Sequence, residues 1–333
     1  MVVSVAKTNE PAAHREAMNW QALTGEFFCV DVGSRGGLDD LTTLRSLLHV
    51  YSLDADPAAE SLPGTFASHH HFSLALHSSP GEMDFFVATR PNMSSLLEFD
   101  PAAFSRHFGL MPGSEDWARA LTLKRKQTIR TETADRFFRS QGLERIDFLK
   151  LDTQGTELEI LKGAREYLSA GKISVVKTEV SFVPVYRGQC TFGEIDRFMK
   201  DHGFVFVDCA FYPDKVGAEN PAKAIRSVGL REQARFSAGG DAFYALHPDS
   251  YRGADRSGFT IRSAVVLNQL GYVSLALDML RNSSCRPDEI EPLLRATTRV
   301  DPRPHWKRAL RDCLPPSAYW GIQRLRRRLL SES

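Results

Sequence analysis

Asp31 is followed by Gly33, Ser34 and Gly36 in the stretch Phe27–Gly37, which reads Phe-Phe-Cys-Val-Asp-Val-Gly-Ser-Arg-Gly-Gly. A short apolar run fits a buried strand, and glycines let the backbone turn sharply and come close to a bound small molecule. Dinucleotide-type turns set bare amides and a helix N-terminus against a pyrophosphate, which a carboxylate beside the first glycine would repel. Asp31 suits a cationic ligand instead. S-adenosylmethionine carries a sulfonium and an ammonium, and a strand-end Asp can neutralise that charge and accept hydrogen bonds from the amino group. Asp31, Gly33, Ser34 and Gly36 are therefore candidate cofactor contacts, although an ordinary glycine-rich turn has the same pattern.

Two further strand ends carry acids. Val50–Pro57 reads as a second strand, and its Asp54 lies 23 positions after Asp31, where nucleotide-binding sheets place an acid against ribose hydroxyls. The alternative is that Asp54 and Asp56 cap the next helix. Ile146–Asp152 reads as a strand that ends in a tight turn at Gly155 and leads into a helix bearing Leu158, Leu161 and Ala164. Strand-end acids of open parallel sheets sit over the carboxyl edge, where ligands bind, so Asp152 is a candidate contact for cofactor or acceptor. Glu157 falls in the first turn of that helix, where a negative charge is favoured with or without a function. Ile173–Val180 is another buried-type strand, with Glu179 near its end. His69, His70 and His71 suggest a metal, but on a strand only His69 and His71 share a face, and no third ligand is near.

These residues need a scaffold. Leu38, Leu41, Leu44 and Leu48 predict a helix after the first strand, and Phe72–Leu76 with Asp84–Ala88 predict two strands joined by a turn at Ser79–Gly81. Pro91–Pro101 reads as a loop, Phe192–His202 as an amphipathic helix, and Phe204–Val207 and Asp241–Leu246 as late strands separated by a connection of about 30 residues that is a candidate substrate-facing loop. The basic run Leu123–Gln127 reads as the solvated end of an element. Alternating strands and helices argue for an α/β fold with about seven strands, mostly parallel, and helices on both faces. The late strand has room to insert antiparallel. The domain reading is a lead segment at 1–25 with weak helical character near Pro11–Trp20, a cofactor-binding domain at 26–250, and a helical, basic extension at 251–333 with helices near 259–282 and 287–298.

Composition narrows the partners. A formal charge of +1 on 333 residues gives no global reason to expect nucleic acid. No apolar run approaches the roughly 20 residues that span a bilayer, and no signal-peptide pattern opens the chain, so a cytoplasmic location is the default. Five scattered cysteines without a Cys-x-x-Cys pair read as reduced thiols. From Arg299 onward nine Lys or Arg stand against three acids. A helix at Ile322–Leu330, with Trp320 beside it, could touch an anionic membrane peripherally or grip an anionic acceptor, but Arg326 interrupts its apolar arc, which favours a solvated helix packed on the domain.

The chain resembles the FkbM family of S-adenosylmethionine-dependent methyltransferases from about Phe28 to Leu246. The resemblance is carried by Val30-Asp31-Val32-Gly33, by Asp147–Asp152 through Gly155, Glu157 and Leu161–Ala164, by Thr178–Phe182 through Tyr186 and Gln189, and by Asp241-Ala242-Phe243. It implies a class I methyltransferase fold, a Rossmann-like sheet, and O-methylation of a hydroxyl on a sugar, glycan or secondary metabolite. By that likeness Asp31 and Gly33 hold the methionine end, Asp54 the ribose, and Asp152 lies near the transferred methyl. Two positions depart from the family: Asp54-Ala55 stands where Glu-Pro is usual, and Gln154 where Glu is usual.

Methyl transfer mainly requires alignment of the acceptor oxygen, helped by a base. Asp152 and Glu179, on adjacent strand ends, are the catalytic candidates. The same two acids could hold Mg²⁺, but two carboxylates make a thin site and a metal is not favoured. The rival readings are a non-catalytic cofactor-binding scaffold, which Gln154 keeps open, and a nicotinamide-dependent enzyme, which Asp31 and the lack of Gly-x-Gly-x-x-Gly argue against.

Overall fold

The computed structural model describes residues 24–59, 62, 64–109, 114–211 and 238–298. The chain divides into two units, Met1–Thr298 and Arg299–Ser333, and every described residue belongs to the first. The N-terminal helix expected near Pro11–Trp20, nearly all of the long connection between the last two strands, and the basic C-terminal helix lie outside the described residues.

Ten strands form among the described residues: β1 (Phe27–Val32), β2 (Leu48–Asp54), β3 (Ser68–Ser73), β4 (Ala75–Leu76), β5 (Gly81–Ala88), β6 (Leu123–Glu132), β7 (Ile146–Leu151), β8 (Ile173–Ser181), β9 (Phe204–Phe211) and β10 (Gly239–Leu246). Seven of them make one sheet in the order β3-β2-β1-β7-β8-β10-β9. Its pairs are parallel except those of β10, which runs antiparallel to both β8 and β9. The order reverses between β1 and β7, and ligands of such sheets bind beyond the carboxyl ends at that reversal. The central strand β7 is buried along its whole length, as expected of a strand covered on both faces.

The α-helices among the described residues are α1 (Pro101–Phe108), α2 (Ser114–Leu121), α3 (Ala134–Ser140), α4 (Glu157–Gly163), α5 (Arg165–Ser169), α6 (Phe192–Asp201), α7 (Arg256–Gln269), α8 (Val273–Arg281) and α9 (Pro287–Thr297). One sheet face is covered by α3 to α6 through Phe138, Leu161, Ile195 and Met199. The other is covered by α7 to α9 and the segment after β1, through Leu44, Val265, Leu280 and Leu293. The fold is thus mixed α/β with a mostly parallel seven-stranded sheet, and the helical C-terminal extension is present as far as Thr298, with its first helix on the sheet.

Helix α7 is buried from Phe259 to Gln269. Its one buried cation, Arg262, reaches Asp147 at 3.2 Å, and Asp147 also accepts the Phe28 amide at 2.9 Å. This ties α7 to the amino edge of β1 and β7. Asp147→Asn keeps the shape but removes the nearer of the two carboxylates that Arg262 faces, Asp255 lying 3.5 Å away, and hydrogen bonds to charged groups contribute about 1.5–3 kcal/mol. Denaturant titration should show a loss of about 2 kcal/mol; an unchanged midpoint would mean that the anchor contributes nothing.

A second sheet, β4-β6-β5, stands beside the first. Here the structure corrects three expectations. Phe72–Leu76 and Asp84–Ala88 do not pair with each other: β3 joins β2 in the main sheet, and β5 pairs with β6. The basic run is the solvent-exposed first half of β6, as expected of the solvated end of an element. The leucine spacing after β1 forms no α-helix but a 3-10 helix at Thr42–Leu47, with Leu38, Leu41 and Leu44 buried. Their spacing of three suits a helix of three residues per turn, and β2 starts at Leu48, which leaves no length for more. The single helix expected at 259–282 is two helices, because Gly271 adopts φ +97 and closes α7 with a left-handed cap.

Candidate active site

The turn after β1 is fixed by backbone constraints. Gly33 has φ +79, and its amide donates to the Leu53 carbonyl of β2 at 2.9 Å. The Asp152 amide donates to the Val32 carbonyl at 2.9 Å, so the ends of β1, β2 and β7 meet here. A Cβ on Gly33 would stand 1.8 Å from the Asp152 carbonyl oxygen. Only glycine fits that approach.

Beyond these strand ends lies a cavity of about 660 Å³. Val32, Gly33, Arg35, Asp54, Asp152, Gln154 and Glu179 line its floor, and the loop at 90–96 with α2 lines the opposite side. Four acids face it, Asp54, Asp116, Asp152 and Glu179, against two cations, Arg35 and Arg90. Arg35 is itself committed, with Nε 3.7 Å from Asp54 and an Nη nitrogen 3.2 Å from Asp56, which also pairs with Arg125 at 3.3 Å. The Asp56 amide donates to Asp54 at 2.8 Å, and burial raises the Asp54 carboxyl against the pull of that amide and of Arg35.

Asp31 does not line the cavity. It is fully buried one layer below the turn, with its Oδ1 3.1 Å from Lys150 Nζ, and Lys150 also donates to the Gly37 carbonyl at 2.8 Å. Parallel register sets Asp31 directly beside Lys150. Burial lifts the Asp31 carboxyl to about 6 despite the ammonium. Burial alone would lower Lys150, but the carboxylates of Asp31, Asp152 and Asp40 outweigh it and hold the ammonium up. Ser34 is also buried, and its hydroxyl and Asp31 Oδ2 have no hydrogen-bond partner among the described residues. Gly36 lies in the short 3-10 turn Ser34–Gly36.

At the centre of the floor, Gln154 holds φ +60, alone in positive φ among the described non-glycine residues. Its Nε2 donates to Asp152 Oδ1 at 3.1 Å and to Glu179 Oε2 at 2.8 Å. Its Oε1 lies 3.3 Å from the Tyr186 hydroxyl, and its backbone carbonyl accepts from Ser95 Oγ at 2.8 Å. Asp152 and Glu179 are thus brought together through one amide, and burial raises the Asp152 carboxyl.

Glu157 sits elsewhere. It is buried at the start of α4, accepts the Thr153 amide at 2.7 Å, the Thr153 hydroxyl at 3.0 Å and the Gly155 amide, and is lifted by burial to about 7. Its place is the rigid turn beneath Gln154. His69 and His71 converge on the Ser52 hydroxyl, at 2.8 and 2.9 Å, and among the described residues no group of three His, Cys, Asp or Glu is arranged to hold a metal. The four cysteines among the described residues are free thiols, and Cys313 lies outside them.

Sequence reasoning missed Lys150, Arg35 and the apolar side of the cavity. Lys150 had a signal: a charge inside Phe148-Leu149-Lys150-Leu151 needs a buried partner, and parallel pairing with β1 supplies Asp31. Met93, Trp117 and Leu121 had none, because their helix and loop belong to the layer above the sheet.

A mostly parallel sheet of this order with one antiparallel strand, and a cavity over its reversal point, is a Rossmann-like fold with its ligand site beyond the strand ends. The chain belongs to the FkbM family, whose methyltransferase domain matches residues 31–206. Among solved structures it is similar to magnesium protoporphyrin IX methyltransferase from Synechocystis with bound S-adenosylmethionine, at 11% identity over 73% of this chain and 87% of that one, with a TM-score of 0.29. It is also similar to an S-adenosylmethionine-dependent methyltransferase from Clostridium acetobutylicum, at 9% identity over 70% of this chain and 89% of that one, with a TM-score of 0.25. No curated protein matches it. No helix among the described residues is long and apolar enough to cross a membrane.

Proposed function

We propose that this protein transfers methyl from S-adenosylmethionine to the hydroxyl of a sugar, glycan or secondary metabolite. The observation that carries the reading is the single cavity that has Gly33 and Asp54 at one end and the Asp152–Gln154–Glu179 group in its floor. An acid-rich wall suits a cationic adenosine cofactor and opposes a pyrophosphate, which supports the methyltransferase reading over a nicotinamide one. When bound, S-adenosylmethionine supplies a methyl group activated by its sulfonium leaving group. Gly33 gives the cofactor a bare backbone to lie against, Asp54 accepts from the ribose, and Asp31, with Ser34 and Gly36, sets the shape and charge of the turn from below.

Asp152 and Glu179 orient the acceptor hydroxyl and take its proton on a carboxylate oxygen. Because both carboxylates already bond to the Gln154 amide, a Mg²⁺ ion between them does not fit without displacing it, and no step is assigned to metal. Met93, Trp117, Leu121 and Val185 offer apolar surface to the body of the acceptor. The site asks for a hydroxyl on a partly apolar molecule.

The test is transfer of labelled methyl to a panel of free sugars, alkyl and aryl glycosides and phenols, with the product checked by mass for one added CH₂ on oxygen. Methylation confined to nitrogen or carbon acceptors would overturn the proposal. Glu179→Gln should lower kcat about 100-fold, the lower range for loss of a general base, with affinity for S-adenosylhomocysteine kept. Asp152→Asn should lower both kcat and that affinity, because it stands between the two ligands.

A further inference from the structure

We infer that Gln154 is the positioning residue of the transfer: its side-chain amide occupies the place between Asp152 and Glu179 that a proton or a cation would otherwise fill, and so aims both carboxylates at the acceptor. The inference rests on the proposed O-methylation for its kinetic consequence, but its structural content stands by itself.

The geometry is fully used. The two hydrogens of Nε2 go to two different carboxylates, at 3.1 and 2.8 Å, which fixes the orientation of the amide, and Oε1 lies 3.3 Å from the Tyr186 hydroxyl, whose one hydrogen it shares with the Met93 carbonyl. Reversing it would set Oε1 against two carboxylate oxygens. Tyr186 is itself held, because its hydroxyl also approaches the Met93 carbonyl at 2.9 Å and its ring is buried. The backbone is equally committed: the left-handed φ of +60 is an unusual choice for a long side chain, and Ser95 clamps the Gln154 carbonyl. Gly155 beside it has φ +108 and packs against the Gln189 side chain, whose Oε1 accepts the Val185 amide at 2.7 Å. An uncommon backbone conformation held by several neighbours, with a side chain joining two acids in a cavity, is the pattern of a functional constraint.

Each of the two carboxylates receives a hydrogen bond from one neutral amide, and at Asp152 that bond works against the burial that raises its carboxyl. A carboxylate at 154 would instead put three like charges together and call for a cation.

The variants separate side chain from backbone. Gln154→Gly suits the positive φ and deletes the whole side chain, two methylenes with the amide. It should fold with an unchanged melting temperature or a higher one and bind S-adenosylhomocysteine within about threefold of wild type, while kcat falls about 100-fold with little change in cofactor KM. Gln154→Asn, which tolerates the left-handed backbone but is one carbon shorter, should recover little of that loss. Gln154→Glu, titrated with Mn²⁺ alone and followed by electron paramagnetic resonance, should bind the ion at least tenfold more tightly than wild type. Full activity in Gln154→Gly would assign the residue to the backbone turn and overturn the inference. Equal Mn²⁺ affinity in wild type and Gln154→Glu would overturn it as well, and that readout decides even if no hydroxyl acceptor is ever methylated, an outcome that would count against the proposed reaction only.

Discussion

Gly33→Ala should reduce affinity for S-adenosylhomocysteine by more than about 100-fold and lower stability by about 3 kcal/mol. The added Cβ would lie 1.8 Å from the Asp152 carbonyl oxygen and 2.7 Å from its carbon, both backbone atoms that no rotamer change can move. Relief requires the turn to retreat from β7 by more than an ångström, which withdraws the backbone that the cofactor lies against; a displacement of that size costs about 10²-fold in rate where groups must be aligned, and a binding loss on the same scale is expected. The left-handed φ adds about 1–2 kcal/mol for a residue with a Cβ. The Asp152 and Gly33 amides, which tie β7 to β1 and β1 to β2, would be strained by the same movement.

Gly37→Ala is the comparison. Its φ is +82, but nothing lies within 4 Å of an added Cβ, so it should lose only the conformational term and keep cofactor affinity within a fewfold. Calorimetry on both variants checks the pair. Wild-type affinity in Gly33→Ala would mean that the cofactor does not use this turn.

Much of the frame that holds this turn can be read from residue order alone. Phe27–Val32, Ile146–Leu151 and Ile173–Ser181 are apolar runs of strand length that end in acids, and such runs have few places to go other than the middle of a parallel sheet. Asp152, Gln154 and Glu179 meet because two adjacent strands end at the same edge, which the alternation of strands and helices already implies. What stays hidden is the layer above. The second sheet, α1 and α2 owe their places to contacts far apart in sequence, such as Phe104, Leu121 and Tyr186 in one small core, and no local period encodes them. The segment after β1 misleads for a different reason: a spacing of three leucines fits an α-helix and a 3-10 helix equally, and only the position where β2 begins decides.

The same limit explains Asp31. Charge logic assigns a carboxylate beside Gly33 to a cationic ligand, and it takes the packed sheet to show Lys150 already there. Both residues point to the sheet face shared with Gly37, so the pair can govern the turn without touching the cavity. Asp31→Ala strands the Lys150 ammonium in a buried site, and removal of one partner of a buried pair costs about 3–5 kcal/mol. The variant should lose that stability and, through the Gly37 carbonyl, most of its cofactor affinity. Lys150→Met distinguishes two routes: if Asp31 acts through the pair, this variant loses affinity to a similar extent, whereas if Asp31 reached the ligand directly, affinity would survive.

The pair also makes a signed prediction with pH. Asp31 titrates near 6 when folded and near 3.8 as a free side chain, so the folded state binds its proton more tightly. The part of stability linked to that proton is complete below about pH 4 and is lost as pH rises through about 6, by about 3 kcal/mol for the two-unit difference, while the pairing with Lys150 remains. Denaturant titrations of wild type and Asp31→Asn between pH 4 and 7 should therefore diverge, with wild type losing stability relative to the variant as pH increases. A difference that stays flat across that window would show that the Lys150 charge fully compensates the buried carboxylate.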